Sequence, residues 1–350
     1  MISDELLSLR ANPSDIEELY PHKPLSRRNH VLKAQVIGRF IDYFPFVVLF
    51  GLLGILWDLR PFEDMSIYIK LAGTAIIFAV FVWWIYIIFI KPQFFKINSL
   101  HIKTETLKNP VKIALMTDLH TGDKRFGSSV KKIKKAIETI NNYMPDIFIV
   151  AGDLVDENFN ELAMETLSEL KKINCKNKFG VYGNHDGFHM KNRGYKESPR
   201  DIIKFVEKET KIKFLGNKTK ELEIKNNNIL LAGVPDLGGR LASIDKTFED
   251  IDKSKYNYII LMSHNPDIID FLHESDEVDL VVAGHSHAGQ IAFPIIGALL
   301  PLPSKHKRYL KGLFDVGGKT NLFLSQGFAH ASTRVRVGTN TEINLITLTK

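Results

Sequence analysis

The sequence predicts an α/β domain that follows a pair of apolar helices, and two observations predict this class. From residue 110 onwards, short apolar runs alternate with amphipathic stretches, and no internal repeat interrupts them. Before that point, two long apolar stretches lie close together in the chain. The 350 residues are enough to bury a sizeable core, and the apolar (45%) and charged (25%) fractions are those of a folded protein.

The stretch LAGTAIIFAVFVWWIYIIFI, at 71–90, has the length of a bilayer span and carries no charge. The earlier stretch from Ile41 to Trp57 is nearly as apolar but contains Pro45. We predict two transmembrane helices, at about 40–57 and 71–90, in a segment 36–90 that follows a cytoplasmic tail of residues 1–35. A cleavable signal peptide is not expected, because a long polar tail comes first. A buried helical hairpin of a soluble domain is the alternative.

Basic residues flank the two stretches on their outer sides: Arg27, Arg28, Lys33 and Arg39 precede the first, and Lys91, Lys96, Lys103 and Lys108 follow the second. The loop between them is poor in lysine and arginine. By the positive-inside rule, both termini face the cytoplasm. The sequence thus predicts a multi-pass protein of the cell (inner) membrane, with residues 100–350 as a cytoplasmic domain. Its oligomeric state is not predicted.

The net charge of +6 fits a partner of opposite sign, either anionic lipid or a phosphate-bearing substrate. No nucleic-acid partner is expected, because the chain lacks a stripe of interleaved basic and aromatic residues. The single cysteine, Cys175, excludes an intramolecular disulfide and a metal site built from several thiolates.

Within the domain, apolar runs predict strands and amphipathic runs predict helices. The strands are expected at 111–117, 146–152, 178–183, 229–232, 256–262, 278–283, 320–325 and 342–349. The helices are expected at 128–144, 158–173 and 198–209. In the first helix a serine caps the start, the lysines lie on the solvent face, and Ile133 and Ile137 lie on the buried face.

Potential metal ligands follow five of these strands: Asp118 and His120, then Asp153, then Asn184, His185 and Asp186, then His264, and last His285 and His287. Because the carboxyl ends of strands in open α/β sheets share one edge, these residues can converge on one crevice. Glycines at 152, 183 and 284 let the backbone turn sharply there. Carboxylates, one amide and several imidazoles in this pattern predict a hydrolytic site that holds two divalent cations.

The motifs D-L-H (118–120), G-D (152–153), G-N-H-D (183–186), S-H-N-P (263–266) and G-H-S-H (284–287) resemble those of the calcineurin-like metallophosphoesterase superfamily. The resemblance implies a β-sandwich flanked by helices, in four layers α/β/β/α. The run G-H-S-H-A-G-Q with the apolar, proline-rich stretch after it resembles the membrane-associated YkuE/YaeI-like branch. The chlamydial-type UDP-2,3-diacylglucosamine pyrophosphatase and the vertebrate transmembrane protein with a metallophosphoesterase domain are similar to this branch.

The resemblance also implies a role for each residue. It assigns one metal to Asp118, His120 and His287, a second to Asn184, His264 and His285, and the bridging position to Asp153. A hydroxide that bridges the metals would attack the phosphorus. His185 would donate a proton to the leaving oxygen, with Asp186 as its orienting partner. Manganese is the expected metal, and iron, zinc and magnesium are the alternatives, because oxygen and imidazole donors suit all of them.

The predicted function is therefore a membrane-anchored two-metal phosphodiesterase or pyrophosphatase that acts on a lipid-linked or nucleotide-linked phosphoester. The alternatives are a UDP-2,3-diacylglucosamine pyrophosphatase of lipid A synthesis, a protein phosphatase, and a non-catalytic scaffold of the same fold. The segment 291–312, apolar and then basic, directly follows the last histidines. We expect it to enter the membrane interface beside the site; a buried connection that covers the core is the alternative.

Overall fold

The computed structural model of the chain describes residues 27–58, 65–123, 125, 127–156, 159–186, 199–237, 242–293, 295–299, 304–331 and 333–350. Several parts of the sequence predictions lie outside the described residues, among them the tail before residue 27, most of the loop between the apolar helices, positions 158 and 198 at the starts of two predicted helices, and positions 294 and 300–303 of the segment 291–312. The described chain divides into two compact units, one of residues 95–330 and 337–350 and one of residues 27–94 and 331–336.

The helical unit contains α1 (Arg27–Asp58) and α2 (Ile67–Ile85), and α2 continues through a π turn (Tyr86–Ile90) and a 3-10 turn (Lys91–Gln93). Within them, Val36–Asp58 (23 residues) and Ile67–Gln93 (27 residues) are long and apolar enough to cross a membrane. Both stretches are longer than the predicted spans. Pro45 lies inside α1 without ending it.

A buried carboxylate ties the segment 331–336 to this helical unit. Asp42 of α1 is only 3% exposed, and its Oδ1 accepts hydrogen bonds from Thr333 Oγ1 at 2.6 Å and from the Arg334 backbone N–H at 3.1 Å. Lys91 Nζ donates to the Arg336 carbonyl at 2.7 Å. The apolar pattern of α1 gives no indication of this contact, because it depends on residues almost 300 positions away.

The second unit is built from two six-stranded sheets. Its strands are β1 (Lys96–Lys103), β2 (Val111–Met116), β3 (Ile147–Ala151), β4 (Asn177–Val181), β5 (Lys213–Phe214), β6 (Lys218–Ile224), β7 (Asn227–Gly233), β8 (Tyr258–Met262), β9 (Leu280–Ala283), β10 (Ala292–Phe293), β11 (Gly297–Ala298), β12 (Gly312–Val316), β13 (Thr320–Leu324) and β14 (Glu342–Thr349). Its helices are α3 (Val130–Tyr143), α4 (Glu161–Ser168), α5 (Pro199–Thr210) and α6 (Ile244–Phe248).

Both sheets are mixed, with a parallel centre. The first has the order β1-β14-β2-β3-β4-β5, in which only the β14–β2 pair is antiparallel. The second has the order β12-β13-β9-β8-β7-β6, with antiparallel pairs at both edges. In register, Met116 faces Val150 in the first sheet and Met262 faces Val282 in the second. The ends of the central strands therefore lie level with one another.

Three apolar clusters define the layers. One fills the space between the sheets and includes Ile149 and Ile260. A second packs the outer face of the first sheet against α3, α4 and α5, and the third packs the outer face of the second sheet against α6 and short 3-10 turns. The predicted four-layer α/β/β/α arrangement is therefore confirmed.

Several predicted details differ from the structure. The strand β1 begins at Lys96, before the predicted start of the domain at residue 100, and its alternating, half-exposed pattern is typical of a sheet edge. In α3, Ser129 caps the helix as expected, but Lys132 does not lie on the solvent face. This lysine is 3% exposed, and its Nζ donates to the Phe328 carbonyl at 2.7 Å and to Thr341 Oγ1 at 3.1 Å. Helical periodicity places a side chain on a face but does not reveal acceptors from distant loops.

Candidate metal centre

The predicted ligands follow the carboxyl ends of the central strands of both sheets. Asp118 follows β2, Asp153 follows β3 and Asn184 follows β4, whereas His264 and His285 follow β8 and β9. The backbone N–H of His285 donates to Oδ1 of Asp118 at 3.1 Å, which connects the two sheets directly at the site. Parallel strands in register thus bring together residues that are far apart in the sequence.

One group of donors contains Asp118, His120 and His287, all buried. Nε2 of His120 lies 3.1 Å from Nε2 of His287, which lies 3.3 Å from Oδ1 of Asp118. Two imidazole nitrogens at this distance share either a proton or a cation. About 3 Å is also the separation of two ligand atoms that each lie about 2.1 Å from one ion.

A second group is centred on His264, whose Nδ1 lies 3.0 Å from the Ala151 carbonyl. A hydrogen bond from Nδ1 to this carbonyl leaves Nε2 as the nitrogen that can bind a metal. Nε2 lies 3.1 Å from Nδ1 of His285 and 3.2 Å from Oδ1 of Asn184. It also lies 3.1 Å from Oδ2 of Asp153.

Asp153 stands between the two groups. Its Oδ2 lies 3.1 Å from Nε2 of His264 and 3.6 Å from Nε2 of His120. Its Oδ1 accepts from the backbone N–H of His185 at 2.9 Å, which leaves Oδ2 directed at both imidazoles. The donors are carboxylate oxygens, an amide oxygen and imidazole nitrogens in a buried crevice, and this chemistry fits divalent metal ions.

Burial and charge shift the pKa values of these groups in the metal-free chain. Burial lowers the pKa of His120, but the hydrogen bond to Asp156 and nearby carboxylate charges outweigh it and raise the pKa to about 9. Burial raises the pKa of Asp153, but the charge of His264 opposes it and holds the pKa well below its usual range. Burial and the charge of His264 lower the pKa of His285 to about 4. A metal ion that binds here must therefore displace protons from some imidazoles.

The backbone is strained at this centre. Five predicted ligands have φ in the left-handed region: Asp118 (55°), His120 (43°), Asp153 (51°), His285 (71°) and His287 (47°). Residues with a Cβ avoid this region, at a cost of about 1–2 kcal/mol each. Such residues cluster at functional sites, where the surrounding fold holds them in place.

The three glycines beside the ligands serve two purposes, only one of which was predicted. Gly152 has φ of 81° and turns the chain, as expected. Gly183 and Gly284 do not have a positive φ. A Cβ on Gly183 would instead clash with Asp153, and a Cβ on Gly284 would clash with Asp118. Glycine is therefore required at these two positions for close approach of a carboxylate and not for backbone freedom.

The contacts of Asp186 differ from the expected orienting role. Its Oδ1 accepts from the backbone N–H groups of Leu154 and Val155, at 2.7 and 3.1 Å, and its Oδ2 accepts from Gly183 at 2.8 Å. Burial and the charge of Asp153 raise the pKa of Asp186 to about 7. These three bonds hold the loop after β3 against the loop after β4.

Asp156, which the sequence prediction did not include, lies beside both His120 and His185. Its Oδ1 lies 3.1 Å from Nδ1 of His120 and 3.4 Å from Nδ1 of His185, and its main-chain carbonyl lies 2.8 Å from the same His185 nitrogen. The only signal in the sequence is its place three residues after Asp153, in G-D-L-V-D. Acidic residues are common in such loops, so this spacing was not informative by itself.

Residues 111–289 match the family described as calcineurin-like phosphoesterase. A metallophosphoesterase of Campylobacter jejuni is 29% identical over 257 residues, covering 72% of this chain and 63% of that protein. The transmembrane protein with metallophosphoesterase domain of Danio rerio is 28% identical over 269 residues, covering 72% of this chain and 57% of that protein. The metallophosphoesterase YkuE of Bacillus subtilis is 27% identical, covering 68% of this chain and 78% of that protein. The chain thus spans less than two thirds of the first two relatives.

Proposed function

Because the chain belongs to the calcineurin-like phosphoesterase family, we propose that it is a membrane-anchored phosphodiesterase or pyrophosphatase that uses two divalent cations. The family membership confirms the resemblance expected from the five motifs, and the relatives include the YkuE and transmembrane proteins expected with it. One observation carries the proposal: Oδ2 of Asp153 lies within 3.6 Å of an imidazole nitrogen from each donor group. A carboxylate in that position is suited to bridge two cations.

We assign the ligands by the two donor groups. The first cation is assigned to Asp118, His120 and His287, the second to Asn184, His264 and His285, and Asp153 is shared. Manganese suits these donors, as do iron, zinc and magnesium. When bound, such cations lower the pKa of water and neutralise the charge on phosphate oxygens. The complete donor set also argues against a non-catalytic scaffold.

His185 is the proposed proton donor to the leaving oxygen. Its side chain is 24% exposed, whereas those of His120 and His264 are fully buried. The Asp156 carbonyl is a partner for Nδ1, so Nε2 is the nitrogen that exchanges a proton with the substrate. Asp156, and not Asp186, is then the positioning residue of this histidine.

The proposed substrate is a phosphoester linked to a lipid or a nucleotide, and the chain is proposed to act from the cytoplasmic side of the membrane. The two apolar helices and the relatives named as transmembrane proteins indicate a membrane protein. The lysines and arginines that flank the helices support the cytoplasmic orientation of both termini. A reporter fused after Lys350 tests this orientation, and a signal from the external side contradicts it.

The substitution Asp153→Asn tests the two-cation proposal. The purified full chain, loaded with Mn²⁺, should hydrolyse a chromogenic phosphodiester, and the variant should lose this activity because the shared carboxylate is gone. Asp250→Asn is the matched control, since Asp250 is exposed and asparagine tolerates its φ of 59°. Full activity of Asp153→Asn contradicts the proposal. An active wild-type chain that holds a single equivalent of metal contradicts the cation count alone.

A further inference from the structure

A small β-hairpin with an exposed apolar tip follows the last metal histidines. Its strands β10 and β11 pair Ala292 with Ala298 and Phe293 with Gly297. Around the turn, Ile295 is 97% exposed, Ile296 72%, Leu299 55% and Phe293 40%. The alternative prediction of a buried connection is therefore wrong for this hairpin. Contiguous apolar side chains on the surface of a folded domain indicate an interaction site.

The base of the hairpin is fixed to the rest of the domain. The backbone N–H of Ala292 donates to the Val337 carbonyl at 3.0 Å, and that of Leu299 donates to the Ile291 carbonyl at 2.8 Å. A Cβ on Gly338 would clash with the Ala292 carbonyl, so the two segments approach closely. Because Ile291 is four residues after His287, the base of the hairpin lies next to the metal centre in the chain.

An exposed lysine lies beside this base. Lys311 Nζ donates to the carbonyl of Gly338. Gly338 directly follows Val337, whose carbonyl accepts from the Ala292 N–H. Lys307 and Arg308 are also exposed, whereas Lys305 forms an ion pair with Asp270 at 2.9 Å. An apolar tip with a lysine at its base, and two more exposed basic residues three and four positions earlier in the chain, matches the bilayer interface, where acyl chains lie below anionic headgroups.

We propose that the hairpin inserts Phe293, Ile295, Ile296 and Leu299 into an anionic bilayer, with Lys311 in contact with the headgroups and the exposed Lys307 and Arg308 adding to the attraction of the anionic surface. The connectivity of the chain supports a bilayer as the binding partner. Only two residues separate Gln93, at the end of the second apolar segment, from the first residue of β1. The domain therefore begins directly after a segment that is apolar enough to cross a membrane. Three of the four exposed side chains, Ile295, Ile296 and Leu299, are aliphatic, whereas the core of a protein interface is enriched in aromatic residues, methionine and arginine.

Insertion of the hairpin would hold the metal centre close to the headgroup layer. Resting on the proposed phosphoesterase function, we infer that the favoured substrates keep their acyl chains in the bilayer and present the phosphoester at its surface. Such substrates would reach the site without leaving the membrane, which avoids exposing their acyl chains to water.

A depth measurement on the full chain tests the insertion. In a Cys175→Ser background, Ile295→Cys is labelled with an environment-sensitive fluorophore, and the protein is placed in nanodiscs of zwitterionic and anionic lipid with one chain per disc. Lipids that carry a nitroxide on the acyl chain should quench this label several-fold more than a label at Lys319→Cys. Lys319 is the matched control because it lies at the exposed turn of the β12–β13 hairpin. Adding Ile296→Asp should abolish the difference.

Two outcomes overturn the inference. If the label at 295 is as accessible to aqueous iodide as the label at 319, the tip lies in water. If it is protected from iodide but not quenched by the nitroxide lipids, a protein partner covers it. The variant Ile295→Asp/Ile296→Asp should hydrolyse a soluble diester at the wild-type rate. Its rate on a diacylated diester in vesicles should fall several-fold. Because the quenching needs no turnover, an inactive enzyme contradicts the proposed function and leaves the depth result intact.

Discussion

Oδ1 of Asp156 lies 3.1 Å from Nδ1 of His120, and this carboxylate also lies beside the His185 ring. A carboxylate that accepts from Nδ1 fixes the tautomer of a metal-binding imidazole and directs Nε2 at the metal. Asp156 thus contacts a proposed metal ligand and the proposed proton donor at the same time. The loop after β3 therefore determines the geometry of two functional groups.

Asp156→Asn should lower metal affinity or kcat by about 10–100-fold, the usual effect of losing a carboxylate behind a metal-binding histidine. The measurements are Mn²⁺ titration and steady-state kinetics on a soluble diester, with Asp245→Asn, an exposed position, as the control. KM should change little, because Asp156 does not face the substrate in our proposal. A variant with wild-type metal affinity and kcat would remove Asp156 from the mechanism.

Asp186→Asn should lower thermal stability more than Asp156→Asn does. The carboxylate accepts three backbone N–H groups, and an amide offers only one oxygen, so at least one buried donor loses its acceptor. Such a loss costs about 1–3 kcal/mol. Apparent Tm of the full chain in detergent is the measurement. An unchanged Tm together with a kcat loss equal to that of His185→Asn would restore the orienting role predicted from the sequence.

Lys132→Met should destabilise the domain by about 1–3 kcal/mol, because the Phe328 carbonyl and Thr341 Oγ1 lose their buried donor. Lys131→Met is the matched control, since Lys131 is exposed on the same helix and should change stability by less than about 0.5 kcal/mol. Denaturant unfolding measures both variants. Equal stability of the two would mean that the buried ammonium group contributes nothing net.

Asp279→Asn should stabilise the protein at high pH and lose this effect in acid. Burial raises the pKa of Asp279 to about 6, and the charge of Glu277 adds to the shift. In the unfolded chain the pKa of an aspartate is about 3.9, so the folded protein binds the proton of Asp279 more readily than the unfolded chain does. The contribution of this group to stability therefore rises as pH falls from 7 towards 4.

Asparagine has no such ionisation and can still accept from the Ile259 N–H, which lies 2.7 Å from Asp279 Oδ2. At pH 8 the substitution should raise the free energy of unfolding by about 1–2 kcal/mol after solvent screening, and this gain should shrink towards pH 4. Apparent Tm across this pH range measures it. A gain that is the same at both ends of the range would show that ionisation is not its source.

Much of the fold follows from local pattern. The apolar runs after residue 110 predicted the central strands to within a few residues, since a strand buried on both faces reads as a continuous apolar run. The half-exposed edge strands β1, β6 and β12 and the two-residue strands β5, β10 and β11 were missed because such strands carry little apolar signal. The buried Lys132 was assigned to the wrong face, because its acceptors come from a loop near residue 328.

The sequence by itself determined the types of ligand and the strands that they follow, because both are recorded in consecutive residues such as G-N-H-D and G-H-S-H. Only the tertiary structure decided how close these groups come, which ligands adopt positive φ, and that Gly183 and Gly284 leave room for carboxylates. It also showed that Asp186 accepts from backbone N–H groups and that Asp156 contacts the histidines. The physical reason is that distances between strand ends depend on sheet register and packing, which no local stretch of sequence specifies.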